Sequence, residues 1–227
     1  PRARGPGGAA AVIELASGAA MRRTGPEDGP AVVCLNGGTA AARPGDWSAS
    51  IEWLVRRLAP DLPGLAFHEV RYRVKSWNRL EMCIADGRAA LDAVARPGRP
   101  AALIGFSMGG AVSIAVAGHP AVTAVIGLAP WIPDRLSVDG LRGRRVDLVQ
   151  GSLDGWLPGI PGISPRSSRA GHARIRAAGV EASYTLLRGA VHPIALRAPW
   201  GGLVPAPRAA AWARHVAGAL LRFQAAA

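Results

Sequence analysis

Short apolar runs alternate with segments of helical spacing along almost the whole chain. Residues 10–16 and 19–23, split by Ser17-Gly18, predict a hairpin near the N-terminal end. Residues 31–35 are all apolar and predict a short buried strand that runs into Asn36-Gly37-Gly38. Ile51, Leu54, Val55 and Leu58 give 47–58 a helical period, and the segment stops before Pro60. Strand 65–74, helix 80–95 ended by Pro97-Gly98, strand 101–106 and helix 108–117 follow, with Gly118 placed as a C-terminal cap. Strands 122–128 and 145–150, helix 167–178, strand 182–187 and a closing helix 209–223 complete the series.

Strands that alternate with helices imply parallel β-α-β units. The expected architecture is therefore α/β: a mostly parallel central sheet, an antiparallel N-terminal hairpin and helices on both faces. No internal repeat and no dividing linker interrupts the series. Residues 1–227 read as a single domain, with 1–9 expected to be flexible. The Gly/Pro-rich stretches 155–165 and 198–207 read as loops.

Composition narrows the classes. A hydrophobic share of 49% suits a globular core and argues against disorder. No apolar run approaches the roughly 18 residues that a membrane span needs. The net charge of +12 invites a nucleic-acid reading. However, Lys75 is the only lysine, and the arginines are spread along a chain rich in Ala, Gly and Pro. That is a composition bias, not a recognition patch, and no nucleic-acid partner is expected. The basic start is followed by a short stretch holding Glu14, a poor signal-peptide core, so the expected compartment is cytoplasmic. Cys34 and Cys83 lack metal-ligand spacing and are expected to be buried free thiols. No metal and no cofactor is expected.

The chemistry concentrates at Gly105-Phe106-Ser107-Met108-Gly109. The G-x-S-x-G pattern lies where an apolar strand meets a helix, the context its chemistry requires. Such a turn is sharp and strained, and bulky side chains two residues either side of the serine would collide with the neighbouring strand and helix. The turn lifts the Ser107 hydroxyl above the sheet. It also puts the Met108 N–H at a helix N-terminus, where developing negative charge is stabilised.

A serine hydroxyl is a weak nucleophile and needs a histidine base, itself oriented by a carboxylate. In this strand–helix setting the order is Ser, Asp/Glu, His. Downstream carboxylates are Asp134, Asp139, Asp147, Asp154 and Glu181. Asp154 is selected because it sits in the loop at the C-terminal end of strand 145–150, the sheet end where ligands bind. Of His119, His172, His192 and His215, only His192 follows the last strand at that same end. A second oxyanion donor is expected from the loop after strand 31–35, the Gly38 N–H first and Thr39 as the fallback.

Together these residues resemble the α/β-hydrolase superfamily over roughly residues 10–223. The chain is most similar in kind to small single-domain esterases and dienelactone-hydrolase-like members. The resemblance implies an α/β-hydrolase fold with Ser107, Asp154 and His192 as triad. It likewise implies an oxyanion hole from the Gly38 and Met108 amides. Many members carry His before the oxyanion glycine, where this chain has Asn36. Dienelactone hydrolases use a cysteine nucleophile, where this chain has Ser107. Only a short linker, 130–144, stands where many members insert a lid, so no lid domain is expected.

Trp77, Trp131, Trp156 and Trp200 fall at strand ends or in loops beside the predicted site. With Thr39, the first three are the candidate substrate-binding residues, aromatic walls suiting an apolar acyl or alcohol group. The expected partner is a small-molecule ester. Thioesters and amides meet the same machinery, and a non-catalytic binding protein that keeps the fold is the competing class.

Overall fold

A computed structural model of the chain describes residues 11–156 and 159–226. The expected flexible start, 1–9, lies outside them. An eight-stranded sheet forms the centre, with strands β1 (Val12–Glu14), β2 (Ala20–Thr24), β3 (Ala31–Leu35), β4 (Ala66–Arg71), β5 (Ala101–Phe106), β6 (Val122–Leu128), β7 (Arg145–Gly151) and β8 (Ala182–Leu187). Their spatial order is β1-β2-β4-β3-β5-β6-β7-β8. The β1/β2 and β2/β4 pairs are antiparallel, and the other five are parallel. Helices α1 (Ala49–Leu58), α2 (Leu80–Val94), α3 (Met108–Val116) and α4 (Pro165–Ala177) lie on four of the parallel crossovers, and α5 (Ala209–Ala225) follows the last strand of the sheet.

Period-two alternation divides the core in two. In β3, Val33 and Leu35 join the apolar layer that holds Cys83, Leu91, Val112 and Ile175. Val32 and Cys34 join the layer that holds Leu54, Leu58, Trp212 and Leu220. The helices of α2, α3 and α4 thus cover one face, and α1 and α5 the other. A fully buried leucine such as Leu54 or Leu220 contributes about 1.5–3 kcal/mol of transfer free energy. Cys34 and Cys83 are both buried and free. Burial, followed by the charge of Glu69, holds the Cys34 thiol well above its ordinary pKa.

Several boundaries differ from the sequence reading, each for a local reason. The predicted helix 47–58 begins at Ala49, because Ser48 caps it by accepting from the Ile51 N–H at 3.3 Å. Trp47 is left outside. The predicted strand 65–74 ends at Arg71, and Val74–Lys75 turns away to pair with Arg43–Pro44. Gly45 lies against the Tyr72 backbone at that turn, where a Cβ would collide. Gly118 does not take the left-handed cap conformation: α3 ends at Val116, and its C-cap Ala117 keeps ordinary helical angles. Loop 198–207 belongs partly to a two-stranded ribbon, Ala195–Arg197 with Leu203–Pro205. Between β6 and β7 only one short 3-10 turn forms, Asp139–Leu141. Among the described residues, no helix is long and apolar enough to cross a membrane.

Candidate active site

β5 delivers Ser107 into a turn with φ 56° and ψ −118°, a left-handed conformation that costs a non-glycine residue free energy. The flanking glycines make that turn possible. A Cβ on Gly105 would run into the Gly109 carbonyl and the Ser113 hydroxyl, and one on Gly109 into the Leu35 and Asn36 carbonyls. The Ser107 amide donates to the Leu128 carbonyl at 2.9 Å, and its carbonyl accepts from Gly110 at 2.9 Å and Trp131 at 3.0 Å. The strained turn is therefore tied to β6 and to the segment that follows it.

His192 and Asp154 meet Ser107 from two other strand ends. His192 Nε2 lies 3.1 Å from Ser107 Oγ, and His192 Nδ1 lies 2.9 Å from Asp154 Oδ2. Both partners are buried, and Phe106 packs beside the imidazole at 5.1 Å between ring centres. Asp154 also accepts from Gln150 Nε2 at 2.7 Å and from the Ile163 N–H at 2.7 Å. Gly162 lets that loop close in, since a Cβ there would strike Asp154 Oδ1. With a proton on Nδ1 facing the carboxylate, Nε2 is left to accept the serine proton.

The loop after β3 closes on the same point. A Cβ on Gly37 would come 3.3 Å from the Ser107 Cβ, and one on Gly38 would run into the Met108 side chain. Asn36 organises this loop. Its Oδ1 accepts from the Gly37 N–H at 2.6 Å, its Nδ2 donates to the Asp46 carbonyl at 3.2 Å, and its own carbonyl accepts from the buried Tyr72 hydroxyl at 3.2 Å. The Gly37 amide is thus engaged. Among the described residues the Gly38 and Met108 amides donate to no protein acceptor.

A cavity of about 780 Å³ opens beside Ser107 and His192. Phe106, Gly37, Gly38 and Thr39 line it, together with Trp47, Arg22, Arg71, Glu52 and Arg197. Glu52 bonds Arg22 at 3.0 Å and Arg197 at 2.6 Å. Burial pushes the Glu52 carboxyl up, but those two arginines outweigh it and leave it below the usual glutamate range.

No family model and no curated protein matches the sequence. Solved structures do match. Est1E from Butyrivibrio proteoclasticus is 15% identical, with a TM-score of 0.67 over 96% of this chain and 99% of that one. A dienelactone hydrolase-like promiscuous phosphotriesterase, P91, from metagenomic libraries is 22% identical, with a TM-score of 0.65 over 94% and 96%. XC6422 from Xanthomonas campestris, described as a serine hydrolase without a lid, is 17% identical, with a TM-score of 0.57 over 81% and 85%. The chain has the α/β-hydrolase fold.

Within this α/β-hydrolase fold the structure brings Ser107, Asp154 and His192 together, with Gly38 and Met108 beside them. Thr39 lines the cavity, but its hydroxyl faces the Ala41 and Lys75 carbonyls at 2.8 and 3.0 Å. Three candidate walls lie elsewhere. Trp77 and Trp131 pack against the core cluster under α2 and α3, and Trp156 is 70% exposed. Trp200 is an exposed residue at the tip of the ribbon. Each follows a strand end in sequence, but none of the four lines the cavity beside Ser107. Among the described residues, Trp47 is the tryptophan that lines the cavity. Ser48, a cap residue just after it, was the available signal that Trp47 precedes the helix. Gln150, a polar residue directly after the apolar Leu148-Val149 near the end of β7, was the signal for a second anchor on Asp154. The other histidines serve packing and pairing: His119 pairs with Asp92 at 3.5 Å and His172 meets the Ala182 carbonyl at 3.2 Å.

Proposed function

We propose that this chain is a serine hydrolase that cleaves carboxylic esters of short to medium acyl chain through an acyl-enzyme. The observation that carries the reading is the relay at 3.1 and 2.9 Å, from Ser107 through His192 to Asp154, set on a strained turn. Strain at a buried hydrogen-bonded cluster persists only where the surrounding fold enforces it, and such sites are commonly functional.

Ser107 Oγ adds to the ester carbonyl as its proton passes to His192 Nε2. The Gly38 and Met108 amides stabilise the oxyanion. His192 then gives that proton to the departing alkoxide, and the alcohol leaves. Water repeats the sequence on the acyl-enzyme: one proton goes through His192 back to Ser107, and the carboxylic acid is released. Asp154 holds the imidazole in the required tautomer. Thioesters and amides would meet the same groups, so the acceptor range is read from a substrate panel.

The test is labelling with a fluorophosphonate probe. Labelling of the folded chain that disappears in Ser107→Ala is the expected result. A folded wild-type chain that takes no label and hydrolyses no activated ester overturns the proposal.

A further inference from the structure

The cavity beside Ser107 is lined by Arg22, Arg71, Lys75 and Arg197 against only two carboxylates, Asp46 and Glu52. Three of the cations are matched. Arg22 and Arg197 share Glu52, Arg22 also holds Glu69 at 2.8 Å, and Lys75 holds Asp46 at 2.7 Å. Among the described residues Arg71 has no carboxylate partner. It is the last residue of β4, at the sheet end where Ser107 sits, and it is half-buried. Its guanidinium lies over the Trp47 ring, 5.2 Å from the ring centre, with that of Arg22 at 4.5 Å. A guanidinium held on an aromatic face keeps its planar edge available, and that edge fits a carboxylate with two parallel hydrogen bonds.

We infer that Arg71, seated on Trp47, is the specificity-determining residue for an anionic group on the substrate, and that the preferred ester carries a second, ionised carboxylate, as in a monoester of a dicarboxylic acid. The inference rests on the ester-hydrolase reading and narrows it. A neutral ester leaves the uncompensated charge of Arg71 in a partly desolvated cleft. A monoanionic ester neutralises it, and the surrounding cations raise its local concentration. Trp47 acts on the same contact by fixing the guanidinium plane.

The experiment compares kcat/KM for mono-p-nitrophenyl glutarate and for p-nitrophenyl valerate, an uncharged ester of equal chain length, each corrected for hydrolysis in buffer alone. The expected wild-type ratio favours the glutarate monoester by about ten-fold at low salt and shrinks as sodium chloride is added. Arg71→Gln lowers that ratio by about ten-fold, and Arg71→Lys keeps part of it. Thermal melts check that both variants are folded. If Arg71→Gln does not fold, the wild-type ratio and its salt dependence decide alone. A wild-type ratio at or below one, or a ratio unchanged in Arg71→Gln, overturns the inference and leaves the ester hydrolase standing. Hydrolysis of neither ester overturns the hydrolase reading instead.

Discussion

Gln150 Nε2 lies 2.7 Å from Asp154 Oδ2, the same oxygen that faces His192 Nδ1 at 2.9 Å. One carboxylate oxygen is therefore held by a neutral amide on one side and by the imidazole on the other. The amide also donates toward the Ile163 carbonyl at 2.9 Å, which links β7 to the loop that gives Asp154 its second donor. The geometry makes Gln150 a positioning residue. Gln150→Leu keeps the volume and removes the anchor, so Asp154 gains freedom to rotate from His192. Expected is a fall of roughly ten-fold in kcat on p-nitrophenyl acetate with KM little changed, since small misplacements of an orienting group are costly. Stability should change little, because the Gln150 Oε1 is itself buried without a partner among the described residues and its removal relieves that cost. Asp154→Asn should be the more damaging change. Equal activity of Gln150→Leu and wild type rules out the positioning role.

Ser107 couples chemistry to strain. Ser107→Ala and His192→Ala should each lose on the order of a thousand-fold or more in kcat/KM. His119→Ala and His172→Ala should retain near wild-type rates, since both histidines are engaged far from the relay. Ser107→Gly adds a second readout: it should be inactive yet more stable by about 1 kcal/mol, because glycine adopts φ 56° without the steric cost. Denaturant titration of the three Ser107 forms measures this. A Ser107→Gly protein less stable than Ser107→Ala means that the turn is not strained.

Much of this was legible in the sequence because periodicity and glycine placement are local signals. The apolar run 101–106, ending in Gly105-Phe106 and followed by Ser107-Met108-Gly109, located β5, α3 and the turn between them, and chain order singled out Asp154 and His192. What escaped depended on tertiary context. Trp47 lines the cavity because Ser48 caps the helix and starts it two residues later than the apolar period suggests. Trp77 and Trp131 pack against the core cluster, a contact that periodicity alone does not encode. The ion cluster of Arg22, Glu52, Glu69 and Arg197 draws on β2, α1, β4 and the ribbon after His192, four segments that only the fold brings together.

Two glycine substitutions of opposite sign test the packing account. Gly109→Ala places a methyl against the Leu35 and Asn36 carbonyls, backbone atoms that cannot step aside. Overpacking of this kind costs about 1–3 kcal/mol, and it should also displace the Asn36–Gly38 loop and lower activity. Gly218→Ala, on the middle of α5, meets only a flexible Arg222 terminus at 3.7 Å. It should stabilise the chain by about 1 kcal/mol through helix propensity, with activity unchanged. Thermal or urea melts decide both signs.

His68, buried on β4, is held at a pKa of about 4 by burial and then by the charges of Arg23 and Arg96. Its Nδ1 has no partner among the described residues. The unfolded chain, with an ordinary histidine pKa near 6.5, binds the proton first, so stability is lost as pH falls from about 6.5 to 4. Above that window the imidazole is neutral in both states and contributes no pH dependence. The loss is at most roughly 3 kcal/mol, the product of the pKa difference and 1.36 kcal/mol per unit. His68→Leu removes this contribution, so the stability difference between pH 7.5 and 4.5 should be smaller in the variant. Identical differences in the two proteins refute the assignment.

Chain-length preference follows from the shape and chemistry of the cavity. Its lining combines apolar wall from Phe106, Gly37-Gly38, Ile160-Pro161 and Trp47 with the charged Arg22, Arg71, Glu52 and Arg197. Burying each methylene against the apolar wall is worth about 0.8 kcal/mol, so the first few should raise kcat/KM. Longer chains meet the charged residues, where apolar surface gains nothing and displaces water from charges. The segment between β6 and β7 holds only one short turn, and the exposed Trp200 at the ribbon tip does not line the cavity. No cover therefore has to open at a lipid–water interface. For p-nitrophenyl esters from acetate to palmitate, activity should peak among the short chains and show no jump above the solubility limit. A maximum on the longest chains, or a jump at that limit, would mean that the ribbon folds over the cleft and that the charged wall moves aside with it.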